Sequence, residues 1–510
     1  MHSKRPLVDA LYLIIFISLL IFASAKSLLA GWTEDMRLTY RGYEIHPQVI
    51  ARNDSVHVSW YQIAGPMHIS YLRSTDGGSS WFLPLDLEAP DHYGLRHDMA
   101  LSGSILFVGW QDIDTSWLDH PGNIAFALSQ AGDEWGIPGY VFEPRRFQNS
   151  YAVSTTLQSD SIYAAYLGIT PDSLGFHAVI LKYSPDLGAT WSDSLVVGWT
   201  GYLNGLRMRK CSGTIYVVWC GTNPERRRAF EVMTAISYDG GETWADEVQL
   251  SPDSADSQHP CIACDEETGN VAIGWADSRE SHTFPGDLYI RITTDGGYSW
   301  GDVLPATRHH KVANSSIDVR GDSIWAVWSD WDASYGSNNT EICFSKSTDF
   351  GESWSTYERL TYAEGFSYTP WIFYDSSKLH VVWEEYRRPP NSGSDIYYKH
   401  WEPEVGIEDD NGNSLPGNIY LSAFPNPFNS ATTITYGNLK GGEIKIFDIK
   451  GQLIKTFFTG GENEGRIEWD ATDASGKKVS SGIYFARARY GSKATETSQS
   501  SNTIKLIYLK

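Results

Sequence analysis

Two sets of polar residues in this 510-residue chain have types and spacings suited to chemistry. One set places a carboxylate just after an aromatic residue: Trp110-Gln-Asp112, Trp275-Ala-Asp277-Ser-Arg279, Trp328-Ser-Asp330 and Trp383-Glu384-Glu385. The other set carries imidazoles and guanidinia: His46-Pro47, Arg96-His97, Arg207 and His259-Pro260. Carboxylates, imidazoles and guanidinia that converge on one point can hold a polar ligand or exchange protons with it. Singly, such residues are more often solvated rim charges or partners of a neighbouring loop. Everything depends on whether the fold gathers them.

The elements that would do so are short strands in seven similar units. An apolar alternation ending in an aromatic occurs at Val56–Trp60, Leu106–Trp110, Ile162–Tyr166, Ile215–Trp219, Val271–Trp275, Ile324–Trp328 and Leu379–Trp383. The aromatic-to-aromatic spacings are 50, 56, 53, 56, 53 and 55 residues. Repetition at this period implies a radial array of small sheets. Aligning the units puts His46, His97 and His259 at nearly one position in three of them, at the start of a first strand. The carboxylates Asp112, Asp277, Asp330 and Glu385 then close second strands at the same end, near Arg207 and Arg279. These nine residues form the candidate ligand-binding rim. Blade-to-blade distances argue against a metal held by the three histidines, so neither metal nor cofactor is expected, although calcium in the acidic loops stays open.

About twenty residues after most of these aromatics comes a second motif, S/T-x-D-x-G-x-S/T-W. It reads Ser74–Trp81, Ser184–Trp191, Ser237–Trp244, Thr293–Trp300 and Ser347–Trp354, with a shortened form at Ser129–Trp135. The Asp can accept hydrogen bonds from its own loop and the Gly can adopt a positive φ, so the motif describes a turn. The Trp would then pack that turn down. Together the two motifs use twelve of the 20 Trp, which removes most of the case for an aromatic sugar platform.

The second motif resembles the Asp-box, or bacterial neuraminidase repeat, of sialidase-like β-propellers, over residues 32–402. The resemblance implies four-stranded blades with the box between third and fourth strands, on the face away from the ligand pocket, and hence a structural role for its Asp. The expected fold is all-β: a seven-bladed β-propeller, six blades being the alternative as in sialidases, plus a C-terminal immunoglobulin-like sandwich. Trp32–Tyr40 looks like Trp354–Tyr362, which follows the sixth box, so the N-terminal strand is expected to complete the last blade. The family clamps a substrate carboxylate with three Arg and uses a Tyr nucleophile, a Glu and an Asp acid/base. Its Phe-Arg-Ile-Pro signature is replaced here by Glu44-Ile-His46-Pro47, and Arg207 and Arg279 lack a third equivalent, so catalytic residues stay unassigned. The expectation is an exported propeller that binds an extracellular ligand, a glycan by family analogy. The alternatives are an exo-acting glycoside hydrolase or lyase of the sialidase-like type, and a structural surface-layer protein.

The ends of the chain set its destination. Lys4-Arg5, an apolar run from Leu11 to Phe22 and Ala23-Ser24-Ala25 read as a secretory signal peptide, residues 1–25, and no later segment is apolar enough to span a membrane. The propeller is assigned to 26–403, a linker to 404–417 and a sandwich to 418–510. The sandwich contains Pro425–Asn429, Ile444–Gly451, Trp469-Asp470 and Ser481–Phe485. The order of these motifs resembles the C-terminal sorting domain of type IX secretion cargo, related to flagellar hook-capping immunoglobulin-like domains. It implies a partner in the type IX machinery and a secreted or outer-surface location reached through the periplasm. A formal charge of −22 argues against nucleic acid as a partner. The five Cys are expected as small buried hydrophobes, with any pairing undetermined.

Overall fold

The computed structural model describes residues 31–402 and 420–509, apart from short internal segments, the longer being 115–122, 143–152, 170–176, 223–229, 332–338 and 491–500. The expected signal peptide and linker lie outside the described residues. Among the described residues there is no helix; the regular structure is antiparallel sheet. Two compact units appear, Trp32–Glu402 and a second that contains Pro403–Lys510.

In Trp32–Glu402 the described strands form seven sheets, six of them meanders of consecutive strands. Sheet 1 comprises Glu44–Arg52, Ser55–Gln62, His68–Ser74 and Leu85–Asp86. Sheets 2 to 7 begin with His92–Ser102, Val153–Gln158, Leu203–Cys211, Ser257–Cys264, Val312–Arg320 and Ser367–Tyr374. Each first strand packs on the first strand of the next sheet, and the strand Ser367–Tyr374 packs on Glu44–Arg52. The second-strand aromatics Trp60, Trp110, Tyr166, Trp219, Trp275, Trp328 and Trp383 are at most 2% exposed. Strands covered on both faces read as apolar runs with one large ring, as in Ile215–Trp219.

Sheet 7 takes its outer strands from the start of the unit. Gly31–Trp32 and Met36–Arg37 lie beside Asp395–Glu402. The likeness of Trp32–Tyr40 to Trp354–Tyr362 is physical. The Leu38 amide donates to the Ile396 carbonyl at 2.8 Å and Thr39 Oγ1 accepts the Ile396 amide at 2.8 Å. In sheet 6, Leu360 donates to Ile342 at 2.7 Å and Thr361 Oγ1 accepts the Ile342 amide at 2.9 Å.

The S/T-x-D-x-G-x-S/T-W turns share one bonding scheme. In the third sheet Ser184 Oγ donates to Asp186 Oδ1 at 2.8 Å and accepts the Gly188 amide at 2.7 Å. Asp186 in turn accepts the Thr190 amide at 2.8 Å and its hydroxyl at 2.7 Å. The turn bonds repeat around Asp76, Asp239, Asp295 and Asp349. The Trp of the turn meets the preceding sheet rather than its own. Trp81 sits edge-on to Tyr398 at 5.0 Å, Trp135 to Tyr71 at 4.8 Å and Trp191 to Phe126 at 5.7 Å. Each turn is therefore a clasp between neighbouring sheets.

The cysteine expectation is corrected in part. Cys211 and Cys264, on the first strands of sheets 4 and 5, form a disulfide with Cα atoms 6.0 Å apart. Cys220, Cys261 and Cys343 are free and buried, as expected.

The C-terminal unit packs a three-stranded sheet, Tyr420–Phe424, Thr432–Gly437 and Gly465–Trp469, with a four-stranded one. The latter contains Leu453–Phe458, Gly442–Asp448, Gly482–Tyr490 and Ser501–Tyr508. Trp469, Phe428, Ile444, Ile446 and Leu506 share its core.

Candidate functional site

The antiparallel register puts the start of each first strand, the end of the second and the start of the third at one end of a sheet, opposite the Asp-containing turns. At that end six of the seven first strands break register against the second: at Ile45/Gln48, Leu95/His97, Leu203/Leu206, Gln258/Cys261, Val312/Ser315 and Tyr368/Trp371. These are β-bulges, which bend a strand and re-aim its side chains. The bulged residues include His46, Arg96, His259 and Thr369, with φ of 51°, 45°, 54° and 44°. Holding a non-glycine residue in the left-handed region costs on the order of 1–3 kcal/mol, and such residues cluster where ligands bind. Pro47, Pro260 and Pro370 follow three of them. Proline suits a bulge because it has no N–H to leave unpaired.

The bulges bring the imidazole and guanidinium set together. His46 stacks on Tyr61 with centroids 5.3 Å apart and planes 10° apart, and His97 meets the edge of Tyr61 at 6.2 Å. Burial and the charge of Arg207, with smaller contributions from His97, Arg96 and His259, hold His46 down to about 4. Burial and Arg207 likewise hold His259 at about 4. Burial holds His97 at about 3, against the small upward pull of the Ser59 backbone. His46 and Arg96 are exposed, Arg207 and His259 are half-buried, and His97 is 7% exposed. The backbone of Ser59 is the partner of the His97 ring, whereas Arg207 Nε is buried without a hydrogen-bond partner. Gln48 donates to the His97 carbonyl at 3.1 Å and accepts the Met99 amide at 2.9 Å, which fixes the backbone behind His97.

The carboxylate set does not join this cluster. Asp112 accepts from His92 at 2.8 Å, and Asp330 from His310 at 2.6 Å. Asp277 accepts from Ser257 and from the Trp275 indole, both at 3.0 Å, and takes both ends of the Arg279 guanidinium. Glu385 accepts from Ser367 and the Trp383 indole, each at 2.9 Å. Each carboxylate thus ties the end of its second strand to the approach to, or start of, its own first strand. Arg279 pairs with Asp277 and lies over Tyr289 at 3.9 Å, in the same lock.

The residue one step earlier is the one the sequence reading passed over. Glu384 points to the opposite side of its strand from Glu385. It accepts from Thr369 Oγ1 and lies within the field of Tyr61 and Tyr386. Burial raises it to about 7, while its bonds to Thr369 and Tyr386 pull down. Tyr61, raised to about 12 by burial first and Glu384 second, is a neutral donor at physiological pH. Period-two alternation was the available signal: Tyr61 and Glu384 each follow a second-strand Trp directly.

The bulge end thus presents guanidinium charge, neutral imidazoles and a carboxyl raised to about 7. Arg207's charge depresses each of the three histidines, and the same field opposes a bound cation.

Residues 422–500 match the family model of the secretion system C-terminal sorting domain. No curated protein matches the chain. Among solved structures, polysaccharide lyase Uly1 is similar at 9% identity and TM-score 0.51, over 73% of this chain and 99% of its own. A fungal alcohol oxidase of the AA5 family, in complex with copper, is similar at 11% identity and TM-score 0.50, over 94% and 99%. The intramolecular trans-sialidase of Ruminococcus gnavus, in complex with oseltamivir carboxylate, matches at 14% identity and TM-score 0.39, over 71% and 94%. At these identities the likeness is one of fold, the β-propeller. The sorting domain marks the chain as cargo of the type IX secretion machinery, exported to the cell surface or released.

Proposed function

We propose that this exported propeller has seven blades and binds an acidic saccharide in the cleft formed by the first-strand bulges. The closed circle of seven first strands supports the blade count. The two-sheet C-terminal unit supports an immunoglobulin-like sandwich, and the five turns support Asp-boxes. One observation carries the ligand class. In a protein of net charge −22, one site gathers Arg96, Arg207, His46, His97 and His259, with Arg207 Nε buried and without a hydrogen-bond partner. A buried guanidinium N–H without a partner costs stability, so its retention among these cationic and imidazole groups fits an anionic ligand that supplies the partner. An arriving carboxylate or sulfate pairs with the guanidinia and raises the histidine pKa values, and each protonated imidazole then adds a charge-assisted bond.

The test is an array of acidic and neutral oligosaccharides probed with the mature protein. Acidic oligosaccharides should be retained, and Arg207→Ala should weaken that binding at least tenfold with no loss of fold. Equal retention of acidic and neutral sugars by wild type and variant would refute the assignment.

A second reading has its own observation. Glu384, titrating near 7 beside the neutral hydroxyl of Tyr61, is poised for proton transfer at physiological pH. Turnover of an acidic glycan, abolished by Glu384→Gln with binding kept, would make the cleft an active site. Fluorogenic sialosides and uronate polymers are the substrates to assay.

A further inference from the structure

On the outer side of the propeller, the edges of sheets 6 and 7 enclose a groove of about 590 Å³. We propose that it is a second saccharide subsite, one that takes an uncharged sugar. Its volume is within the range of small-molecule sites. Its aromatic parts are Tyr362, which is 73% exposed, and Trp32, whose indole donates to Glu358 Oε2 at 3.2 Å.

The charge of the groove separates it from the central cleft. Three cations, Arg359, Arg387 and Lys399, are matched by three anions, Glu34, Asp35 and Glu358. Most of these groups are already fixed. Lys399 Nζ lies 2.9 Å from Asp35 and 2.7 Å from the Leu360 carbonyl, and Arg387 pairs with Asp35 and lies 3.4 Å from Glu385. Arg359 pairs with Glu341 and stacks over Tyr362 at 4.4 Å. A balanced, internally paired lining gains little from an anion, which must break existing pairs. It offers rigid, planar donors and acceptors to hydroxyls, beside aromatic faces suited to the C–H side of a sugar ring.

The groove also shares an element with the cleft. Fourth strands run from the turn end to the bulge end, so Tyr362 and Ala363 lie at the same end of the sheet as the central cleft. The strand Leu379–Glu385 sends Glu384 toward Thr369 and Tyr61 and Glu385 toward Arg387, beside the groove. Both subsites therefore open on the end that the bulges occupy. Only the saccharide class of this proposal rests on the reading of the central cleft; the preference for an uncharged ligand comes from the groove itself.

The test is isothermal titration of the mature protein with cellohexaose, xylohexaose, maltohexaose and laminarihexaose, with hexagalacturonate as the acidic probe. At least one neutral hexasaccharide should bind. Tyr362→Ala, a surface change, should weaken it at least tenfold and leave hexagalacturonate unchanged, while Arg207→Ala should have the converse effect. No binding by any neutral probe, or equal binding by wild type and Tyr362→Ala, overturns the groove. Loss of hexagalacturonate binding in Arg207→Ala bears on the central cleft alone, so the two readings fail separately.

Discussion

The two ends of the propeller's sheets are built on opposite rules. At the turn end the same bonds recur in sheets 1, 3, 4, 5 and 6, and the turn Asp carboxylates are fully engaged. At the bulge end the residues change from sheet to sheet: His46, Arg96, Gly205, His259 and Thr369 occupy the left-handed position. There the polar groups are incompletely satisfied and their protonation is displaced by burial. Repetition with bonded turn carboxylates marks what holds the blades together. Variation with strain and burial-shifted protonation sets the bulge end apart.

The sharpest way to break the contrast is at the turn end of sheets 4 and 5, where Cys211–Cys264 joins two first strands across 53 residues. Closing a loop of that length is worth about 4 kcal/mol in the chain-entropy account. Cys211→Ser with Cys264→Ser should lower the thermal midpoint markedly and leave acidic-glycan affinity within twofold. A large change in affinity instead would show that the two ends are not independent.

Next in size is Gly78. A Cβ there would lie 2.1 Å from the Tyr398 hydroxyl oxygen, and φ is 89°. Gly78→Ala must push the first turn off sheet 7 and pay in strain, an overpacking cost of about 1–3 kcal/mol. Calorimetry should show that loss with ligand affinity intact. Stability unchanged to within a few tenths would mean that the turn does not clasp the neighbouring sheet.

The same contrast explains what the sequence made legible. Trp60, Trp110, Trp219 and their equivalents announced the sheets because one burial requirement recurs at every unit. The closeness of His46, His97 and His259 was legible because aligned units place them together, although nothing in their spacing shows the bulges that carry two of them. The aromatic-x-carboxylate pattern misled: Asp112, Asp277, Asp330 and Glu385 repeat because they lock strand ends. Glu384 does not repeat, and it faces Thr369 and Tyr61. Cys211 and Cys264 carried an overlooked signal, since a separation of 53 is one repeat and places them at matching positions in adjacent units.

The smallest effect is the most discriminating, because the two ends should respond to pH with opposite sign. Hydrogen bonds from the turn hydroxyls and amides hold Asp76, Asp239 and Asp295 at about 2, below the usual 3.8. Between those values the unfolded chain binds more protons than the folded one, so stability rises with pH up to about 4. At the bulge end burial lifts Glu44, Glu384 and Glu385 to about 7 and Glu88 to about 8, above the usual 4.5. There the folded chain keeps protons that the unfolded chain has released, so stability falls as pH rises from 4.5 to 8. His46, His97 and His259, held at about 3 to 4 against 6.5, bind fewer protons folded than unfolded and push stability up until pH 6.5. The thermal midpoint should therefore climb from pH 2 to 4, flatten from 4.5 to 6.5 and decline from 6.5 to 8. Glu384→Gln should reduce the decline without touching the acid limb, and Asp239→Asn should do the reverse. A midpoint that keeps rising between pH 6.5 and 8 would place the bulge-end carboxylates in ordinary solvated surroundings and remove the contrast between the ends.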